Sequence, residues 1–270
     1  MKLKMIAIDV DSTLLNEDNV LTEKTISTVQ NAVKKGIKIV ITSGRPTSGT
    51  VSILKKLGIF NQENQYKINY NGALTSTTAG KIISKNFLSL DDYRDIFRLS
   101  ENLGLKIQAE SINSIITPYN DVPEYTTYEA KLVDTKVEHI EMENLKDSDQ
   151  IAEVMLMGQV EKIEKASGLL PDSFEERFSV MSSSPVYIEF TKRNVSKGEA
   201  LKNLCAKLNI TSKEVMAIGD QNNDISMIKF SGIGVAMGNA IPELKKVANF
   251  VTKDNNNNGV ANAIDKFLVE

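Results

Sequence analysis

Apolar and polar positions along both ends of the chain repeat as a short strand followed by an amphipathic helix. Apolar runs with the length of buried strands stand at residues 3–8, 37–41, 67–70, 215–218, 232–236 and 250–252. Helical patterns stand between them at residues 22–35, 197–208, 223–230 and 241–247. Repetition of strand and helix in this way predicts a parallel sheet with helices on both faces.

The middle of the chain mixes strands and helices less regularly. Strand-like runs occur at 114–117, 151–157, 178–182 and 186–190, and helical ones at 91–103 and 160–169. We therefore predict an α/β fold, a Rossmann-like doubly wound core at 1–83 and 189–270, with an α+β domain inserted at 84–188. Residues 75–85 are interpreted as one connection between the two, and Pro46 as the first turn of a helix. The run of four asparagines at 255–258 is interpreted as a polar loop.

Composition narrows the possible chemistry. The 270 residues carry a net charge of −3, which favours neither nucleic acid nor an acidic membrane as a partner. No apolar run approaches the roughly 20 residues that span a bilayer, and none resembles a signal peptide, so we expect a cytoplasmic protein. One cysteine, Cys205, and one histidine, His139, exclude a disulfide or a thiolate zinc site within the chain. The 35 acidic residues favour a hard, oxygen-ligated cation such as Mg²⁺.

Polar residues suited to phosphate and metal chemistry follow three of the predicted strands. Asp9 and Asp11 follow the first strand, residues 42–45 (Thr-Ser-Gly-Arg) the second, and residues 219–224 (Gly-Asp-Gln-Asn-Asn-Asp) a later one. Ligands of doubly wound sheets bind beyond the carboxyl ends of the strands, where these carboxylates would converge. Carboxylates crowded together repel one another unless a divalent cation or a fixed positive charge such as Lys197 offsets them.

These motifs, in this order, resemble the haloacid dehalogenase superfamily, in particular its Cof-type (subclass IIB) branch of sugar-phosphatase-like hydrolases. The segments that carry the resemblance are 9–15, 42–46, 196–201 and 219–224, with branch-like features at 70–73 and 258–264. The resemblance covers nearly the whole chain, and it implies that the insertion is a cap domain that helps to select the substrate. Ser12 departs from the pattern, because the family most often has glycine there, and serine is costly where φ is positive.

The resemblance also implies roles for individual residues. Asp9 would be the nucleophile that forms an aspartyl-phosphate, and Asp11 the general acid and base. Asp9, the backbone carbonyl of Asp11 and Asp220 would hold Mg²⁺, with Asp224 orienting metal-bound water. Phosphate would be bound by Ser43, Gly44, Lys197 and Asn223. Arg45 is open between a substrate or cap contact and an ordinary ion pair.

Three functions are compatible with these residues. The first is hydrolysis of small phosphate monoesters, such as sugar phosphates or phosphorylated cofactors. A phosphomutase would use the same aspartyl-phosphate, and a non-catalytic phosphate-binding regulatory protein would keep the fold without turnover. Intact Asp9 and Asp11 favour an enzyme. The physiological substrate and the oligomeric state are not encoded in any pattern that we recognise.

Overall fold

Our computed structural model describes residues 3–182 and 184–268, which form two compact units. The first unit contains the chain up to Ser43, then Val51–Ser84, and then the chain from Ser196 onward. The second contains Gly44–Thr50 and Lys85–Val195. The short segment before α2 was predicted to belong to the core, but its contacts place it with the second unit.

Strands and helices of the described residues are numbered in chain order. The strands are β1 (Met5–Asp9), β2 (Lys38–Thr42), β3 (Tyr66–Asn69), β4 (Leu74–Thr77), β5 (Ile82–Lys85), β6 (Lys106–Ser111), β7 (Ser114–Thr117), β8 (Lys136–His139), β9 (Ile151–Met157), β10 (Phe178–Met181), β11 (Tyr187–Lys192), β12 (Val215–Gly219), β13 (Ile233–Ala236) and β14 (Phe250–Val251). The helices are α1 (Glu23–Lys34), α2 (Val51–Lys56), α3 (Leu90–Leu103), α4 (Glu124–Leu132), α5 (Val160–Ser167), α6 (Asp172–Arg177), α7 (Lys197–Lys207), α8 (Ile225–Phe230), α9 (Pro242–Val247) and α10 (Gly259–Phe267).

The first unit is built on an eight-stranded sheet in the order β14-β13-β12-β1-β2-β3-β4-β5. Strands β14 to β3 run parallel, and every residue of β1 and β12 is buried, as expected when helices cover both faces of a sheet. Thr22 caps α1 by accepting a hydrogen bond from the Thr25 amide, as the helix-start pattern predicts. The predicted α/β class with a doubly wound parallel sheet is confirmed.

Two local predictions for the first half of the chain are wrong. Residues 75–85 are not a plain connection, because they contain β4 and β5, and β4 pairs antiparallel with β3. β-Branched side chains such as those of Thr75 and Thr77 favour strands. Pro46 does not begin a helix. A 3₁₀ turn at Ser48–Thr50 precedes α2, and the Gly49 amide donates a hydrogen bond to the Pro46 carbonyl.

The second unit is built on a six-stranded sheet in the order β10-β11-β9-β6-β7-β8. All its pairings are antiparallel except β7 with β8. Helices α3, α5 and α6 contribute apolar side chains to the core on one face of this sheet. The predicted boundary between 188 and 189 falls inside β11, which stays paired with β10 as far as Lys192, and this unit continues to Val195. None of the helices in the described part of the chain combines the length and the apolar character needed to cross a membrane.

Candidate active site

Asp9 and Asp220 reach the same edge of the first sheet because their strands are parallel neighbours. Asp9 is the last residue of β1, and Asp220 follows β12 directly. The register pairs Ile8 with Ile218, so the two strands end at nearly the same level. Both aspartates are at least 95% buried, and the Thr13 hydroxyl donates to Asp220 Oδ1 over 2.7 Å. Asp9 and Asp220 therefore lie at one edge of the sheet, as their positions after two parallel strands predicted.

Lys197 connects the two ends of the chain at this edge. Its Nζ lies 2.6 Å from Asp9 Oδ1 and 2.7 Å from Asp224 Oδ1, and the side chain is 1% exposed. Lys197 begins α7, where Ser196 is the N-cap and accepts a hydrogen bond from the Glu199 amide. A buried lysine with two carboxylate partners is a fixed positive charge, not the solvated helix residue that an isolated lysine usually is.

Close backbone approaches bring these elements together. A Cβ atom at position 198 would lie 2.4 Å from the carbonyl carbon of Ser226, so only glycine lets α7 approach α8 this closely. A Cβ at position 219 would lie 2.6 Å from the Asp224 side chain. The glycines next to Lys197 and Asp220 therefore have a packing reason as well as a place in the motifs.

Asp224 has both carboxylate oxygens engaged. Oδ1 bonds Lys197, and Oδ2 accepts hydrogen bonds from the backbone amides of Asp220 (2.9 Å) and Gln221 (3.1 Å). Its side chain thus orients the lysine and fixes the turn that carries Asp220. By contrast, no hydrogen bond from the described residues reaches Asp9 Oδ2, and Asp220 Oδ2 is buried without a hydrogen-bond partner among them.

Negative charge exceeds positive charge in this cluster. Burial raises the pKa of Asp9 well above its ordinary value, and the nearby Asp224 carboxylate raises it further against the opposing effect of Lys197. Burial likewise raises the pKa of Asp220 to about 6. Burial alone would lower the pKa of Lys197, but the carboxylates of Asp224 and Asp9 outweigh it and raise that pKa. The lysine therefore stays charged while the aspartates repel one another.

The same residues fit a divalent cation. Asp9, Asp220 and Asp224 each offer a carboxylate oxygen, and these oxygens lie within 4.8 Å of one another. The unpartnered Asp220 Oδ2 is an orphaned buried acceptor, and a hard cation is the kind of ligand that satisfies it. Because Asp224 already bonds Lys197 and two amides, Asp9 and Asp220 are the better placed ligands.

The loop after β1 carries Asp11 and Ser12, which are both exposed. Ser12 has φ 57° and ψ 7°, the left-handed region in which a serine is strained. The Asn239 side chain donates to the Ser12 carbonyl over 2.8 Å, and Asn255 Nδ2 donates to the Leu15 carbonyl over 3.1 Å. The Asn255 amide in turn donates to Asn239 Oδ1. Sequence reasoning missed these two asparagines, although the run at 255–258 was a visible signal for Asn255.

Asn223 lies beside a second polar turn. Its Nδ2 donates to Asn71 Oδ1 over 3.0 Å, while its Oδ1 is buried with no partner among residues 3–182 and 184–268. The backbone amide of Asn71 donates to the Ser43 carbonyl, so a single residue, Asn71, connects the predicted phosphate residues Ser43 and Asn223. Asn71 has φ 53°, and it was noted in the sequence only as part of a branch-like segment. Gly44 and Arg45 belong to the second unit, where Arg45 Nη1 donates to the Gly49 carbonyl.

A doubly wound sheet with a buried Asp–Lys–Asp network at its carboxyl edge places this protein among the α/β proteins that bind their ligands beyond the carboxyl ends of the strands. The profile of the family described as haloacid dehalogenase-like hydrolase matches residues 6–264. This chain therefore belongs to the haloacid dehalogenase-like hydrolase family. The resemblance of the sequence to this family and the predicted enzyme class, a phosphatase of this family, are confirmed.

Relatives and solved structures agree with this membership. The Bacillus subtilis protein named "Putative phosphatase YxeH" is 35% identical over 98% of both chains. Another B. subtilis protein, the 5-amino-6-(5-phospho-D-ribitylamino)uracil phosphatase YcsE, is 29% identical over 99% of this chain and 96% of its own. The crystal structure of a haloacid dehalogenase-like hydrolase from Bacteroides thetaiotaomicron superposes with a TM-score of 0.86 at 29% identity, covering 98% and 99% of the two chains.

Proposed function

We propose that this protein is a Mg²⁺-dependent phosphatase that hydrolyses small phosphate monoesters through an aspartyl-phosphate on Asp9. The observation that carries the proposal is the buried Lys197, which holds Asp9 and Asp224 together while Asp220 keeps an unpartnered oxygen beside them. The phosphatase names of the relatives support the same reaction class. The first unit would be the catalytic core, and the second unit the cap.

Asp9 is the proposed nucleophile. Its Oδ1 is held by Lys197, and an Oδ2 with no described partner can form a bond to phosphorus. That P–O bond forms while the ester P–O bond breaks, and the electron pair of the broken bond leaves on the alkoxide. Lys197 opposes protonation of Asp9, whose burial and acidic neighbours would otherwise favour the neutral acid.

Asp11 is the proposed general acid and base. It gives a proton to the leaving alkoxide, and it later takes one from the water that attacks the aspartyl-phosphate. That second step releases inorganic phosphate and restores the Asp9 carboxylate. Hydrogen bonds from Asn239 and Asn255 hold the exposed loop that carries Asp11, so its position depends on them.

Mg²⁺ would be held by Asp9, Asp220 and the Asp11 backbone carbonyl, where it would neutralise phosphate charge. Asp224 would orient the groups around the metal through its hydrogen bonds with Lys197 and with the backbone amides of Asp220 and Gln221. Ser43, Gly44, Lys197 and Asn223 would bind the phosphate oxygens, and Arg45 would contact the substrate or the cap. We propose a cytoplasmic enzyme and a small phosphorylated metabolite as its substrate.

The test is phosphate release from an aryl phosphate, with Mg²⁺ and with a chelator in its place. Wild-type protein should release phosphate only with the metal, and Asp9→Asn should lower kcat roughly 10³-fold or more. Asp18→Asn, at an exposed position in the same region, is the matched control and should retain activity. Turnover without metal, or full turnover by Asp9→Asn, would overturn the proposal. In a parallel assay with hexose monophosphates, an isomerised product without free phosphate would show a mutase instead.

A further inference from the structure

A cavity of about 310 Å³ lies between helices α1 and α10 of the first unit. Its volume is at the lower end of the range of about 300–1,000 Å³ that small-molecule sites occupy. The lining consists of residues of both helices and the residue that follows each of them. We call this space the α1–α10 cavity.

The α1–α10 cavity lies toward the edge of the sheet that is opposite Asp9. Helix α1 leads from the loop after β1 back to the start of β2, where the Lys38 amide bonds the Lys4 carbonyl beside the start of β1. Lys34 and Lys35, which line the cavity, are at this end of the helix. The 12 residues of α1 rise about 18 Å, so a ligand here would not occupy the place of a phosphate at Asp9.

Positive charge is in excess in the lining of this cavity. Among the described residues, neither Lys34 nor Lys35 has a carboxylate partner, and Lys35 Nζ bonds only the Leu268 carbonyl, at 3.5 Å. The acidic residue of the described lining, Asp265, is offset by Lys24, whose Nζ lies 2.7 Å from its Oδ2. Lysines commonly stabilise the C-terminal end of a helix, but these two also border a cavity. An anion would find two ammonium groups there.

The rest of the lining offers further donors and an apolar wall. Thr28 is 3% exposed, and its hydroxyl forms no hydrogen bond with another described residue, whereas buried hydroxyls are ordinarily paired. Asn31 is one helical turn further on, and its side-chain amide is a second donor. Ile264 is buried and Leu268 packs against the core, so both present apolar surface. A concave apolar wall with a few convergent polar groups is typical of a small-molecule site.

We propose that the α1–α10 cavity binds a small organic anion, an aliphatic or aromatic carboxylate. Its carboxylate accepts hydrogen bonds from Lys34, Lys35 and Thr28, and its apolar part contacts Ile264 and Leu268. Charge-assisted hydrogen bonds hold the head group, and burial of the apolar part adds affinity that an inorganic anion lacks. The site is separate from the proposed active site, and its existence does not depend on the phosphatase reaction.

Titration of ¹⁵N-labelled wild-type protein with hexanoate, followed by NMR, tests the proposal. The amide resonances of Thr28, Asn31 and Leu268 should shift together and saturate, with a Kd on the order of 1 mM. Two probes separate the contributions of charge and apolar surface. 1-Hexanol has the chain without the charge, and acetate has the charge without the chain, so each should bind at least about fivefold more weakly than hexanoate.

Charge variants should shift the Kd for hexanoate in opposite directions. The double variant Lys34→Gln, Lys35→Gln should raise it about fivefold, because it removes both ammonium groups. Asp265→Asn should lower it about twofold, because it removes a carboxylate from the lining and frees Lys24. All three substituted positions are exposed, so the variants should stay folded, which circular dichroism checks. Lys202→Gln, exposed on α7, is the control and should leave the Kd unchanged.

Three results would overturn the inference. They are the absence of saturable shifts at the lining residues, equal affinity for hexanoate and 1-hexanol, and an unchanged Kd in the double lysine variant. Each would leave Lys34 and Lys35 with only their ordinary role at the end of a helix. The titration involves no turnover, so its outcome is independent of the test of the phosphatase proposal.

Discussion

Replacing Ser12 with glycine should stabilise the protein, because the serine backbone is in the left-handed region at φ 57°. That conformation costs a residue with a Cβ about 1–2 kcal/mol. Glycine avoids this cost but loses about 0.5–1 kcal/mol more backbone entropy on folding. The exposed Ser12 hydroxyl has no hydrogen bond to another described residue, so little else is lost. The net gain should be about 0.5–1 kcal/mol, or roughly 1–4 °C in Tm.

Scanning calorimetry and urea titration measure this difference. Ser27→Gly is the matched control, since Ser27 is exposed within α1 and has helical backbone angles. Glycine there should destabilise by about 0.5 kcal/mol, so the same substitution is expected to change sign between the two positions. The kcat of Ser12→Gly should stay within about threefold of wild type, because the Ser12 carbonyl can still accept from Asn239. A loss of stability in Ser12→Gly as large as that in Ser27→Gly would refute the reasoning.

Three other perturbations test the site. Lys197→Met should lower the free energy of unfolding by about 3 kcal/mol near pH 7, because it leaves buried carboxylates without the lysine charge. The loss should be smaller at pH 5, where more of these carboxylates are protonated. The control is Lys202→Met, at an exposed position on the same helix, which should change the free energy of unfolding by less than about 0.5 kcal/mol. Asn239→Ala should lower kcat about 10-fold with little change in KM, because it removes the hydrogen bond that holds the loop beside Asp11. Steady-state kinetics measure both constants, and a rise in KM with an unchanged kcat would contradict the prediction. Burial raises the pKa of Asp220 in the folded protein to about 6, so folding favours the protonated carboxyl. In the absence of metal, the stability that this contributes is complete below about pH 4 and is lost as the pH rises through 6. Mg²⁺ should therefore raise Tm more at pH 7.5 than at pH 5, and equal shifts would disprove a role for this carboxylate in metal binding.

Several features followed from local properties of the sequence. Apolar periodicity and helix-start residues such as Thr22 predicted the alternating strands and helices of the first unit. The rule that parallel strands end at one edge then predicted that Asp9 and Asp220 lie close together. Each of these inferences needs only a short segment and a general property of sheets, which is why the sequence was sufficient.

The second unit was harder to predict for a physical reason. Strand β6 alternates polar and apolar residues, a pattern that normally places its glutamate and glutamine in solvent. Gln108 and Glu110 are instead buried, because α4 and neighbouring strands lie along that face. Polarity alone does not reveal which faces of an antiparallel sheet are covered.

The sequence by itself thus determined the fold class, the strand ends that carry the acids and the family resemblance. Only the tertiary structure decided how those acids are held: Lys197 bonds Asp9, which lies 188 positions away in the chain, and Asn239 reaches the Ser12 carbonyl, which lies 227 positions away. It also decided that Ser12 has positive φ and that Gln108 and Glu110 are buried. Those facts depend on strand order, register and close packing between distant segments, and no local pattern of side chains specifies them.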